Sequence, residues 1–266
     1  ATCLPETLPV QGEDKELLVD PYVLGYWLGN GEKNEARLTC SSSDAEELAA
    51  FIKTAGYECN IRPHASCANA RRIRVYNIQG KLRALNVYGN KHIPEAYFSA
   101  SVFSRFRLLQ GLMDSDGRVK ADGTNTYFSN TNKKLVDGVR RILWSLAVDN
   151  RIFETTTAFK DSIERPIWGV LFSSASAFRL ERKSVCVRDW KKTRMRGLTF
   201  TEVTSVPTQC ITVARSDGLF LAGEGHVVTH NSEAFAENEF GKYVRDIIAD
   251  PRYEEVFENV RLHPQS

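Results

Sequence analysis

Val23-Leu24-Gly25-Tyr26-Trp27-Leu28-Gly29-Asn30-Gly31 and, 86 residues later, Leu109-Gln110-Gly111-Leu112-Met113-Asp114-Ser115-Asp116-Gly117 are two versions of one pattern. Glycine stands five residues before and one residue after an Asn or Asp in both, and a small residue, Gly29 or Ser115, precedes that position. Each stretch reads as the end of a helix. Small residues let two helix backbones approach closely, and the apolar residues between them seal the contact. Gly31 and Gly117 suit the left-handed position that often stops a helix. A carboxylate in the last turn meets the negative end of the helix dipole, so Asp116 is placed at a cost. A bound cation is the simplest reason to keep it there.

Working outward, each stretch opens a similar series of elements. The first runs helix (21–29), strand (36–40), helix (44–55), strands (58–62 and 72–78) and a helical stretch through Leu82. The second runs helix (103–115), strand (125–128), helix (133–146), strands (151–157 and 166–173) and a helix near 175–182. The turns Ser41-Ser42-Ser43-Asp44 and Ser129-Asn130-Thr131-Asn132 are rich in capping residues and stand before the second helix of each series. Residues 1–19 are polar and read as a linker. Residues 197–231 read as short strands around Ser216-Asp217-Gly218, and residues 232–266 as an acidic helical tail.

The chain has 35 Lys and Arg against 33 Asp and Glu, a net charge of +2 that argues nothing about partners by itself. The distribution says more. Arg71, Arg72 and Arg74 share one strand, and Arg179, Arg182, Lys183, Arg188, Lys191, Lys192, Arg194 and Arg196 crowd another stretch. Such concentrations fit a phosphate-binding surface, or simply a solvated face. Six cysteines without a C-x-x-C pair indicate neither a zinc site nor a disulfide framework, so a reducing cytoplasm is expected. No apolar run approaches the roughly 18 residues of a membrane span. The chain begins at Ala1 and not at Met, as a processed piece would. His64 and His226 have no partners that recommend them and read as structural.

With Lys91-His92-Ile93-Pro94 between them, the two signatures Gly25-Tyr26-Trp27-Leu28-Gly29-Asn30-Gly31 and Leu108-Leu109-Gln110-Gly111-Leu112-Met113-Asp114-Ser115-Asp116-Gly117 resemble those of intein-encoded LAGLIDADG homing endonucleases. The likeness spans about residues 20 to 188. It implies an α/β (α+β) chain with a pseudo-twofold duplicated αββαββα core, as repeats 20–105 and 106–190. A short β-rich splicing segment at 191–231 and a helical tail at 232–266 follow. It further implies a monomer that hydrolyses both strands of duplex DNA at the intein insertion site. Mg²⁺ would be held at Asp116 and Asn30 with Gly29 and Ser115 beside them, and Mn²⁺ or Ca²⁺ would substitute. Lys91 and Lys183 would lie near the two reacting phosphates. Arg72, Arg74, Asn125, Tyr127 and Thr157 would read bases, with Arg71, Arg182 and Lys183 on the same duplex.

Val206-Pro207-Thr208-Gln209-Cys210-Ile211-Thr212-Val213 and Val227-Val228-Thr229-His230-Asn231 resemble the two C-terminal splicing blocks of an intein. The Asn231 side-chain amide would attack its own carbonyl, His230 would donate a proton, and Ser232 would be the acceptor nucleophile. The tail resembles part of a phage terminase ATPase region, which implies a phage gene expressed in a bacterial cytoplasm. Three departures stand out. Asn30 replaces an expected Asp, and an amide oxygen ligates a hard cation more weakly than a carboxylate. No Thr-x-x-His block marks an N-terminal splicing half, and no His stands near Gly218. Two functional classes follow: an endonuclease reduced toward binding or nicking at Asn30, and a non-cleaving, maturase-like nucleic-acid binder on the same scaffold. Taken singly, Asn30-Gly31 reads as a hairpin-turn dipeptide, and Asp114-Ser115-Asp116-Gly117 as a Ca²⁺-loop fragment or an ordinary turn. Their matched register carries the reading.

Overall fold

The computed structural model describes residues 3–5, 7–158, 164–174, 176–188, 195–197, 201, 204, 211–214 and 218–230. In chain order the elements are β1 (Cys3–Pro5), α1 (Pro21–Asn30), β2 (Arg37–Ser41), α2 (Ala45–Thr54), β3 (Cys59–His64), β4 (Cys67–Val75), α3 (Gln79–Ala84), α4 (Glu95–Phe98) and α5 (Val102–Asp116). Then come β5 (Gly117–Val119), β6 (Thr126–Asn130), α6 (Lys133–Ser145), β7 (Asn150–Ala158), β8 (Glu164–Phe172), α7 (Glu181–Ser184), β9 (Met195–Gly197), β10 (Leu219–Ala222) and β11 (Val227–His230). They fall into two compact units, Leu8–Lys192 and Ala1–Thr7 with Thr193–Ser266.

In the larger unit α1 and α5 form the centre. Asp20 caps α1 by accepting from Val23 N at 3.0 Å, with Pro21 opening the helix. Ser101 caps α5 through Ser104 N at 3.3 Å. Seven consecutive residues of α1, from Tyr22 to Leu28, are buried, so this helix is covered on all sides. Its contact with α5 is backbone on backbone. A methyl group added at Gly25 would come 2.2 Å from the Leu108 carbonyl oxygen, and one at Gly111 would come 2.1 Å from that of Tyr22. Glycine is required at both because any side chain would separate the helices. Gly31 and Gly117 correct one expectation. Both have extended backbone, φ −76° and −74°, and neither is left-handed. Their reason is space: an added methyl would lie 2.4 Å from Trp27 O and 2.5 Å from Met113 O respectively.

Each helix feeds an antiparallel sheet of the same order. The second sheet runs β5-β6-β8-β7, and the first runs β2-β4-β3, with the place of β5 held by the single bridge between Gly31 and Leu38. Gly117, paired with Phe128, is the equivalent point in the second sheet. Strand alternation sorts the residues. Leu38, Ile73 and Val75, and in the second sheet Phe128, Val170 and Phe172, belong to the buried core. The opposite face of the first sheet carries Arg37 beside Arg74, Thr39 beside Arg72, and Arg62 beyond. The opposite face of the second carries Arg118, Tyr127, Arg151 and Phe153.

Several elements differ from the sequence reading. β4 begins five residues earlier than expected, at Cys67, because it pairs back on β3 as a hairpin. β5 was not anticipated. The helix expected near 175–182 is only α7, since Arg179 N and Leu180 N donate to the Asp114 carboxylate and keep that stretch out of a helix. Residues 7–19, expected as a linker, run along the core. Val10 N donates to Ser145 O at 2.9 Å, Val19 is fully buried and bonded through Tyr97 Oη, and the buried Arg105 guanidinium donates to the Val10 and Ser145 carbonyls. In the smaller unit β1 pairs with β9, and β10 with β11 across a turn that places His226 at φ +51°. Ser216 and Asp217 and the tail 232–266 lie outside the described residues.

The two repeats are also clamped by charge. Arg182 donates to both Asp44 carboxylate oxygens, at 2.9 and 2.8 Å, and Glu181 N donates to Glu47. Asp44 therefore does not cap α2 as its position predicts: a guanidinium is the stronger partner for a buried carboxylate. Arg179 lies 3.9 Å from the Phe51 ring centre and 4.5 Å from that of Tyr22.

Two outcomes follow. Gly111→Ala should lower stability by about 1–3 kcal/mol, read as a lower urea midpoint at unchanged slope. Arg182 holds the Asp44 carboxyl below its ordinary range by bonding to its charged form. A depressed folded value adds stability above the unfolded carboxyl pKa and loses it on acidification. Arg182→Gln should therefore cost about 1–2 kcal/mol at neutral pH, at the low end because the guanidinium is half exposed. That cost should shrink below about pH 4, which denaturant unfolding at the two pH values checks.

Candidate active site

The last residues of α1 and α5 meet. Asn30 Nδ2 donates to Ser115 O at 3.4 Å, and a methyl placed on Gly29 would lie 3.4 Å from the Asp116 carboxyl carbon. Two lysines close the helix ends. Lys91 Nζ donates to Gly29 O at 3.1 Å and Gly31 O at 2.7 Å, and lies 5.1 Å from the Trp27 ring centre. Lys183 Nζ donates to Met113 O (2.9 Å), Asp114 O (2.7 Å), Ser115 O (3.3 Å) and Gly117 O (2.9 Å). Each ammonium thus donates to carbonyls at and just beyond a helix C-terminus, at the negative end of its dipole.

Burial sets the protonation behaviour. It draws Lys91 and Lys183 down to about 8, against the pull of Asp116 on both and of Asp114 on Lys183. Burial likewise raises the Asp116 carboxyl, opposed by the Asn130 amide and then by Lys91, Lys183 and Arg118. Asp114, on the same helix, is a different kind of group. Its carboxylate accepts Tyr22 Oη at 2.7 Å and the amides of Arg179 and Leu180, so it glues segments together. Burial lifts it to about 6.

The two halves are unequal. Asp116 Oδ2 accepts Asn130 Nδ2 at 2.9 Å, and among cations Lys91 acts on it most strongly. Asn30 instead borders an open pocket of about 250 Å³ lined by Tyr26, Thr39, Ser41, Ser115 and Lys183. The oxygens of Asp116 and of the Asn30 amide are hard donors that could hold one largely hydrated Mg²⁺, centred on Asp116, whereas the Gly29 and Ser115 carbonyls expected beside them accept from Lys91 and Lys183. Among the described residues no three His, Cys, Asp or Glu side chains are grouped to hold an ion, and no helix is long and apolar enough to cross a membrane.

The expected duplex contacts separate into groups. Arg72 and Arg74 share the outer face of the first sheet, with Arg72 Nε 3.0 Å from Glu32 and Arg74 5.7 Å from the Tyr76 ring centre. Tyr127 and Thr157 share the outer face of the second sheet, and Asn125 precedes β6 in the same register. Arg71 lies on the other side of β4, in step with Ile73, and donates to Ala68 O and Ala70 O. Arg182 is taken up by Asp44, and Lys183 by the end of α5. His230 closes β11, its side chain outside the described residues along with Asn231 and Ser232. Sequence reasoning missed Tyr26, Asn130 and Asn132; the two asparagines stood in a turn read only as a helix cap.

Residues 104–185 match the family model described as a LAGLIDADG-like domain. A replicative DNA helicase DnaB from Mycobacterium intracellulare is 32% identical over 226 residues, 82% of this chain and 36% of that protein. The chain thus spans about a third of the length of the curated relative it matches. Among solved structures, mesophilic variants of the homing endonuclease I-DmoI align at 14% identity over 63% of this chain and 95% of theirs, TM-score 0.45. I-DmoI in complex with DNA and Ca aligns at 15% over 63% and 95%, TM-score 0.42. The N-terminal LAGLIDADG domain of DUF199/WhiA aligns at 12% over 59% and 78%, TM-score 0.37. The stretch matched by the family model runs from within α5 through α7, and the half before it repeats the same element order.

Proposed function

We propose that this chain is a divalent-metal-dependent, site-specific DNA endonuclease of the LAGLIDADG kind, carried within an intein and acting as a monomer on duplex DNA at the insertion site. One observation carries the reading: Asp116 and Asn30 converge at the paired helix ends with a half-buried lysine on each side. The outer sheet faces add arginine, tyrosine and threonine side chains suited to a groove. I-DmoI was crystallised with DNA and Ca, and with DNA and Mn, which supports Mg²⁺ with Mn²⁺ or Ca²⁺ as substitutes here. A partial match to a much longer helicase supports a module carried inside a host protein.

When bound, the ion would supply an activated water and neutralise charge on the leaving oxygen. Asp116 would hold it, oriented by Asn130. Lys91 and Lys183, lowered toward neutrality, can each exchange a proton with a water or offset phosphate charge. Asn30 supplies no negative charge, so its half would act weakly and the product would be a nick. The tail chemistry belongs to the same reading: Asn231 would cyclise through its own amide, with His230 as proton donor and Ser232 as acceptor. A phage gene in a bacterial cytoplasm remains the setting we infer for it.

A second reading has its own support. An amide at position 30, with no three-residue acidic cluster among the described residues, also suits a protein that binds nucleic acid without cutting it. Strand-labelled duplex joining the coding sequences on either side of the inserted segment, incubated with Mg²⁺, separates the two. The endonuclease should nick one strand, Asn30→Asp should raise double-strand cutting, and Asp116→Asn should abolish cleavage with binding retained. Absence of any cut, even after Asn30→Asp, would leave the binder. Full activity in Asp116→Asn would refute the metal assignment.

A further inference from the structure

The turn between β6 and α6 links three parts of the site. Asn130 Nδ2 donates to Asp116 Oδ2 at 2.9 Å, and Asn130 Oδ1 accepts from Asn132 N at 2.9 Å. Asn132 divides its own amide between two tasks. Oδ1 accepts Leu135 N at 3.3 Å, which caps α6, and Nδ2 donates to Lys91 O at 2.6 Å. Lys91 belongs to the segment leaving the first repeat, and that segment is fastened again downstream on the same helix. Glu95 takes both guanidinium nitrogens of Arg141, at 2.5 and 2.8 Å, and Ile93 would lie 3.2 Å from a methyl on Gly138. The Lys91 ammonium meanwhile turns back to the end of α1. Its main chain is pinned by the second repeat and its side chain by the first.

We propose that Asn132 is a positioning residue for the Asp116 half of the site, tying the Lys91 main chain to the turn that orients the Asp116 carboxylate. This rests on the endonuclease reading above. Two amide side chains two residues apart fix the distance between an acid from α5 and a lysine from the other repeat. The other half of the molecule has the same plan in different chemistry. Asp44, at the residue before α2, grips Arg182, the neighbour of Lys183. In both halves, then, the residue that opens one repeat's second helix holds the lysine-bearing segment of the other repeat. A helix cap alone needs no such reach.

Asn132→Ser separates the two tasks of the amide, since a hydroxyl can still cap Leu135 N but cannot reach Lys91 O. We expect the thermal midpoint of the parent chain, backbone hydrogen exchange at His92 and Ile93 faster by about tenfold, and Mg²⁺-dependent nicking slower by a similar factor, with Kd for the joined duplex unchanged. Asn132→Ala should add a lower thermal midpoint, and Asn132→Gln, which restores a donor, should recover part of the rate. Unchanged exchange at 92 and 93 in Asn132→Ser overturns the proposal whether or not the parent cuts DNA. Unchanged nicking in that variant, beside an active parent, overturns it too. A parent that never cuts removes the endonuclease reading separately, and the exchange measurement still decides whether Asn132 holds Lys91.

Discussion

Everything in the larger unit follows from one steric constraint: α1 and α5 touch through their backbones at Gly25 and Gly111. A contact this close cannot be made by side chains. It brings the two helix ends together, so residues a full repeat apart in the sequence share one small volume. Because nothing intervenes between the backbones, the relative height of the helices is fixed as well as their distance. The sheets follow from the helices, each starting at the glycine that ends one.

Bringing two helix C-termini together concentrates unpaired carbonyls and two negative dipole ends in one place. Left alone this would be destabilising. Lys91 and Lys183 answer it by donating into the carbonyls at each helix end. Their burial has a chemical side effect, since an ammonium taken out of water is easier to deprotonate. The same groups that let the helix ends coexist therefore become candidates for proton exchange near neutral pH. Structural need and chemical capacity are one arrangement here.

Much of this was legible in the sequence, and the failures have physical causes. The paired signatures with their glycines carried the helix contact, and local alternation carried the strands, because both depend on near neighbours. Gly31 and Gly117 were misjudged for the opposite reason: a glycine wanted for space looks the same as one wanted for positive φ, and only the nearby Trp27 and Met113 tell them apart. The helix expected near 175–182 was lost to Asp114, a partner 65 residues away from Arg179. Residues 7–19 read as a linker because polar composition does not reveal that Val10 and Val19 find partners on Ser145 and Tyr97. Arg182 looked like a phosphate ligand until Asp44 appeared beside it. Asn132 looked like a cap, and is one, while its other amide atom reaches the first repeat.

The inequality of Asn30 and Asp116 is the most informative departure from the duplication. At Asp116 burial favours the neutral acid, while Asn130, Lys91, Lys183 and Arg118 favour the ionised form. Asn30 has no charge to protect, and its amide nitrogen is satisfied by Ser115 O. A carboxylate there would face that carbonyl instead of donating to it, and would stand close to Asp116. Asn30 thus relieves like-charge crowding that a bound cation would otherwise have to neutralise. With an amide at position 30 the paired helix ends carry one acid there and not two. On this argument the residue that breaks the duplication also keeps a second carboxylate away from the helix junction.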